Sequence, residues 1–273
     1  MSSSTNTLAP PAERGPQIEN EGNERKPAHR LVLAAIALFS AIPFVPNHLP
    51  YLAFALAALL LVSALWRCRP AFHFTLIGTT LAFVMQVPAL RVLSLPMILS
   101  VAFYAVVVLA IPTLRRSTPW FRRGLWRRET AWHVVAIALV SGTALLVWHA
   151  YAAPDLASIR QMLATTPMAA LVAIAVLLPM VNALVEELVF RGVMMNALSH
   201  AFASALAINL VQAVSFGLLH KDGFPSGAWG ILLSGIYAFM LGLLRQRTRG
   251  LLAPWIAHVI ADIVIFCIIV NLA

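Results

Sequence analysis

Residues 168–192 read MAALVAIAVLLPMVNALVEELVFRG. From Met168 to Val185 the stretch carries no charge, which gives a helix nearly long enough to cross a bilayer core about 30 Å thick at roughly 20 residues per crossing. It then places two carboxylates and a guanidinium, Glu186, Glu187 and Arg191, at its end. A long apolar helix that finishes in paired acids decides the reading of the whole chain, because ionised groups among lipid-facing residues are rare and mark function by default.

Similar apolar runs lie on either side, at about 31–45, 50–66, 71–90, 92–112, 132–153, 203–220, 228–244 and 251–271. They predict an all-α, polytopic transmembrane bundle of 8–9 helices. They lack the period-2 alternation of a membrane β-barrel and are about twice too long for its strands. Composition agrees: of 273 residues, 61% are hydrophobic and 11% charged, too little charge to cover a soluble surface. The formal charge of +9 does not point to nucleic acid, since the arginines sit in short loops between spans, as the cytoplasmic bias of Lys and Arg requires. With the N-terminus in the cytoplasm, Arg67 and Arg69, the six arginines from Arg115 to Arg128, and Arg245, Arg247 and Arg249 all return to that side; Arg91 and Lys221 oppose it.

Three divisions follow. Residues 1–30, polar and rich in Ser, Asn, Glu and Pro, read as a disordered cytoplasmic tail without the apolar core of a signal peptide. Residues 31–130 form front helices that end in a basic interfacial segment, Thr113 to Thr130, with Trp120, Phe121 and Trp126 among its arginines. Residues 131–273 hold the back helices. Cys68 and Cys267 are far apart in or beside apolar runs and read as small buried hydrophobes.

Of ten acidic residues only Glu186, Glu187 and Asp262 lie within apolar runs, all in the back part. On a helix Glu187 and Arg191 are four apart and can pair, while Glu186 points about 100° away. One carboxylate is thereby neutralised and its neighbour left for chemistry. Asn182 shares the face of Glu186 and is positioned to hydrogen-bond it. Phe216 and His220 form a second cluster four residues apart, and His258 and Asp262 a third, in which a carboxylate one turn away can orient an imidazole. The other histidines, His29, His48, His73, His133, His149 and His200, have no acidic partner at helical spacing and read as ordinary interface or core residues.

The order E-E-x-x-x-R at 186–191, F-x-x-x-H at 216–220 and H-x-x-x-D at 258–262 resembles the CPBP family of intramembrane proteases, which includes the prenyl-protein CAAX endopeptidases and bacteriocin-processing and immunity-type proteins. The resemblance covers about 168–273. It implies an intramembrane glutamic-type endopeptidase in which Glu186 and His220 activate a water, His258 and the residue at 262 stabilise the oxyanion, and Glu187 and Arg191 hold the site together. It also implies a metal-free reaction, a hydrophobic or lipid-modified peptide substrate among membrane lipids, and a bacterial inner-membrane location. The prenyl-protein branch has Asn where this chain has Asp262, and an ionised Asp would repel an oxyanion; a protonated Asp262, or one that only orients His258, avoids the conflict.

Three other readings use the same residues. Two histidines and a carboxylate match catalytic zinc, although the spacing is not HExxH. Carboxylates and imidazoles within helices also build proton relays in transporters, but no internal repeat is present. A non-catalytic scaffold or immunity-type protein would keep the bundle without chemistry.

Overall fold

The structure, a computed structural model, describes residues 17–270 apart from Leu93 and Pro119. Among the described residues it is all-helical, with no strand. Nine principal helices carry the fold: α1 (Gln17–Ala41), α2 (Leu49–Leu65), α3 (Arg69–Val84), α4 (Leu95–Ala110), α5 (Arg128–Ala152), α6 (Met168–Glu187), α7 (Ala205–Leu219), α8 (Gly227–Thr248) and α9 (Leu252–Ile269). α2, α3, α4 and α9 each carry a proline in the first turn, at Pro50, Pro70, Pro96 and Pro254, where its missing N–H leaves no helical bond unmade.

Five helical stretches are long and apolar enough to cross a membrane, Pro46–Leu65, Arg128–Ala152, Met168–Ser199, Gly227–Thr248 and Leu252–Ile269, and three shorter apolar ones accompany them. α3 is the ninth helix of the set and is a core element, buried along His73–Thr79 and at Ala71, Leu81 and Ala82. The outer faces carry exposed Phe54, Leu61, Phe103, Leu109, Leu139, Leu177 and Ile236, an apolar exterior that water would not tolerate and acyl chains solvate. The protein is an integral membrane helix bundle.

Residues 1–16 of the expected tail lie outside the described residues. Its remainder, 17–30, forms the first turns of α1; Gln, Glu, Lys and Arg are good helix formers, and the apolar helix that follows supplies the nucleus.

Aromatic packing joins front to back. Phe39 of α1 meets Phe74 of α3 at 5.1 Å and Phe190 at 6.1 Å, and Phe190 meets Phe216 of α7 at 4.8 Å, all edge-on. α7 and α8 approach closely because Gly217 and Gly242 lack side chains: a Cβ on Gly217 would strike the Ile231 carbonyl, and one on Gly242 would strike the Asn209 amide. In that contact buried Asn209 donates to the Phe239 carbonyl (3.0 Å) and buried Gln212 to the Ala238 carbonyl (2.9 Å).

The basic segment is tied to the bundle by its backbone. After a one-turn helix, Pro112–Arg115, the chain runs without regular structure as a strap over the turn between α8 and α9. Leu125 N–H donates to the Thr248 carbonyl (2.7 Å), and Leu251 and Leu252 N–H donate to the Arg122 and Arg123 carbonyls (2.8 and 3.2 Å). Gly124, at φ +87°, allows the backbone to pass against Gly250. Trp120 turns inward and is buried, while Phe121 and Trp126 stay exposed. The reason is a vacant surface: Gly192 has no side chain, and the indole fills that space.

Candidate active site

α6 does not end at its carboxylates. It continues as a π-helical segment, Leu188–Met194, and then as Met195–Ser199, so that Met168–Ser199 is one rod of 32 residues. The wider π turn is frequent at functional sites. It presents Val189, Phe190 and Arg191 to the interior, all buried.

Glu187 and Arg191 form the expected pair, with Oε1 and Nη1 3.0 Å apart and both side chains fully buried. The guanidinium also lies over the Phe216 ring, 4.8 Å from its centroid, and donates through Nη2 to the Ala238 carbonyl (3.3 Å). Arg245 donates through Nε to the Arg191 carbonyl (3.3 Å). The same Glu187 Oε1 accepts from His258 Nδ1 (2.8 Å). This bond fixes the ring of α9 and turns its Nε2 toward the remaining acids, 3.5 Å from Glu186 Oε2 and 3.7 Å from Asp262 Oδ1.

His220 caps the C-terminus of α7. Its Nδ1 donates to the Phe216 carbonyl (2.8 Å) and its ring stacks on Phe216, 4.3 Å between centroids. Nε2 is left as an acceptor in the neutral ring. Asn182, Glu186, His220, His258 and Asp262 line one cavity of about 400 Å³, together with Asp222 and Gly223 of the following loop. The structure therefore draws all eight sequence-predicted residues into one neighbourhood from three helices. Asn182, on the face of Glu186, also reaches across to α9, where its Nδ2 donates to Asp262 Oδ2 (2.9 Å).

Sequence reading missed four residues here. Tyr237 of α8 lies edge-on to His258, 5.5 Å between centroids, and its buried hydroxyl has no hydrogen-bond partner among the described residues. Arg245 and Gln212 support the π segment and α8, and Trp120 covers Gly192. Only Tyr237 left a trace, as the single tyrosine within the α8 run. As to zinc, no group of three or more His, Cys, Asp or Glu side chains is arranged to hold a metal among the described residues.

The fold and the site are those of a helical membrane protein that gathers carboxylates and imidazoles around one cavity. Residues 168–264 match the family described as Type II CAAX prenyl endopeptidase Rce1-like, and this part of the chain is similar to that family. The family is one of glutamic-type intramembrane proteases acting on peptides. No curated protein and no solved structure gives a significant match to the chain.

Proposed function

We propose that this chain is an intramembrane endopeptidase that hydrolyses a peptide bond of a membrane-associated, hydrophobic or lipid-modified substrate. The observation that carries the reading is the convergence of Glu186, His220 and His258 on one cavity inside an apolar bundle. A water there is within the reach of a carboxylate and an imidazole acceptor. Glu186 takes its proton as the oxygen attacks the peptide carbonyl carbon. The tetrahedral oxyanion forms beside His258, which in its protonated form donates through Nε2–H while its Nδ1–H is held from behind by Glu187. The C–N bond then breaks, and the proton passes to the leaving amine from Glu186 or through His220 Nε2. Glu187 and Arg191 are positioning residues, buried and paired so that Glu186 alone of the adjacent acids meets the water. Asp262, held by Asn182, orients His258 and is not an oxyanion donor.

Within this reading residues 31–130 are the scaffold, 131–273 the catalytic half, and the basic strap lies on the cytoplasmic side of a bacterial inner membrane. A reaction that uses no metal is insensitive to chelators.

The test compares membrane peptides from cells that carry the wild type and Glu186→Gln. The glutamine is isosteric and not a base, so cleavage falls about 10²–10⁴-fold while the protein accumulates normally. Substrates then build up uncut only with the variant. Full function in a folded Glu186→Gln protein makes the chain a scaffold or a transporter instead.

A further inference from the structure

The cavity that holds the carboxylates and imidazoles is open at one end of the bundle and shut at the other. On α9 its lining climbs turn by turn from His258 through Asp262 and Ile265 to Ile269, about 16 Å of helix at 1.5 Å per residue. On α6 it runs from Glu186 back to Asn182 and Pro179. The rim is made by the junctions α3–α4, α5–α6 and α7–α8, which contribute Ser94, Ile159, and the exposed Asp222 and Gly223. Arg160, on the short helix Ala157–Ala164, donates to the Ile269 and Ile268 carbonyls (2.9 and 3.2 Å) and so docks Ile159 beside the end of α9. At the opposite end the buried Glu187–Arg191 pair lies behind Glu186, Arg245 donates to the Arg191 carbonyl (3.3 Å), and the strap with Trp120 covers Gly192 and bonds to Leu251 and Leu252.

The two ends differ in charge. The junctions α2–α3, α4–α5 and α8–α9 carry eleven arginines, and among the described residues none of these lines the cavity. The rim junctions carry Arg91, Arg160 and Lys221. Packing fixes which end is which: α5 and α9 run side by side, with Val134 by Ala253 and Ala257 at the arginine end and Leu145 by Ile268 at the rim end. Lys and Arg accumulate on the cytoplasmic face of a membrane protein. We propose that the cavity takes its substrate from the extracytoplasmic face, so that the bond cut lies in a tail, juxtamembrane segment or peptide already outside the cytoplasm. The inference rests on the protease reading. An extended chain of about five residues covers the roughly 16 Å from rim to His258, so such a segment reaches the carboxylates without its own membrane span entering the cavity.

The experiment uses the full chain with Cys68→Ser and Cys267→Ser, and adds one cysteine, Asp222→Cys or Ile159→Cys at the rim, or Arg69→Cys at the arginine end. Spheroplasts are treated with a membrane-impermeant maleimide that carries a polyethylene glycol chain, and new peptide termini are read against Glu186→Gln. The rim cysteines react in intact spheroplasts, and Arg69→Cys reacts only after lysis. Modified Asp222→Cys stops the appearance of Glu186-dependent termini, the cysteine-free chain given the same reagent does not, and those termini lie in extracytoplasmic segments. Reaction of Arg69→Cys but not of the rim cysteines in intact spheroplasts, cleavage that continues with Asp222→Cys fully modified, or Glu186-dependent termini in cytoplasmic segments each overturn the proposal and leave the protease standing. Termini that do not depend on Glu186 overturn the protease reading itself, and this inference with it, whichever cysteines react.

Discussion

The front helices and the back helices bury polar groups in opposite ways. In α1 to α4, Ser40, Thr75, Thr80 and Ser100 each return a hydroxyl to a carbonyl one turn earlier, at 2.7–2.8 Å. His73 is satisfied at both ring nitrogens, by Tyr104 (2.8 Å) and Ser117 (2.7 Å). The side-chain atoms left over there, on Ser63 and Thr79, are neutral hydroxyls. In α6 to α9 the unbonded buried atoms include Glu186 Oε2, Glu187 Oε2, Asn182 Oδ1 and Arg191 Nε. An isolated hydroxyl is a modest penalty; an unsatisfied carboxylate is a large one. The difference teaches where selection for something other than stability acts: the front half minimises its polar debt internally, and the back half keeps charge available at a cavity.

The largest expected break in that contrast is at Arg191. Arg191→Leu removes the guanidinium paired with Glu187 and leaves a fully buried carboxylate held by His258 Nδ1 alone among the described residues. Breaking one side of a buried pair costs about 3–5 kcal/mol, so the variant should unfold at much lower temperature in detergent micelles. Glu187→Gln with Arg191→Leu should recover most of that stability, because two neutral groups replace an unpaired charge. Failure of the double variant to recover would mean that the π segment, not the charge, holds the site.

A smaller effect is expected where the two halves are joined. A Cβ on Gly192 would lie 2.6 and 2.8 Å from Trp120 Cε3 and Cζ3, so Gly192→Ala must move the strap or the π segment, at about 1–3 kcal/mol. Adding Trp120→Leu frees the space and should restore both stability and cleavage. If Gly192→Ala is silent alone, the strap does not bear on the segment that carries Arg191.

Much of this was legible in the sequence, and the reason is electrostatic. A carboxylate in an apolar run is expensive enough to be rare, so Glu186, Glu187 and Asp262 announced themselves, and helical spacing paired Glu187 with Arg191 and placed His258 beside Asp262. What spacing along one helix cannot show is how two helices cross. Asn182 and Glu186 share a face, and the amide also reaches Asp262 because α9 passes there. Trp120 looked interfacial among its arginines and was claimed by a glycine some 70 residues away. The π turn has no residue signature, and Tyr237 carries no charge to draw attention. His73 looked unaccompanied because both of its partners lie on other segments.

His73 is the sharpest test on the front side, since it is the nearest thing there to a chemical group. Ser117 uses its own proton on the Leu114 carbonyl (2.7 Å), so it accepts from His73 Nε2–H, and Nδ1 in turn accepts from the Tyr104 hydroxyl. Every donor in the chain has one acceptor, and the network ties α3 to α4 and to the start of the strap. His73→Phe fills the ring's space and leaves the Tyr104 and Ser117 hydroxyls each short of a partner, a loss of about 1–3 kcal/mol. Cleavage per folded molecule should not change, measured as rate normalised to the protein that survives mild heating. A drop of about ten-fold or more in a folded His73→Phe protein would place a working proton path in the front half. The division between a self-satisfied front half and a charged, cavity-lined back half would then be drawn in the wrong place.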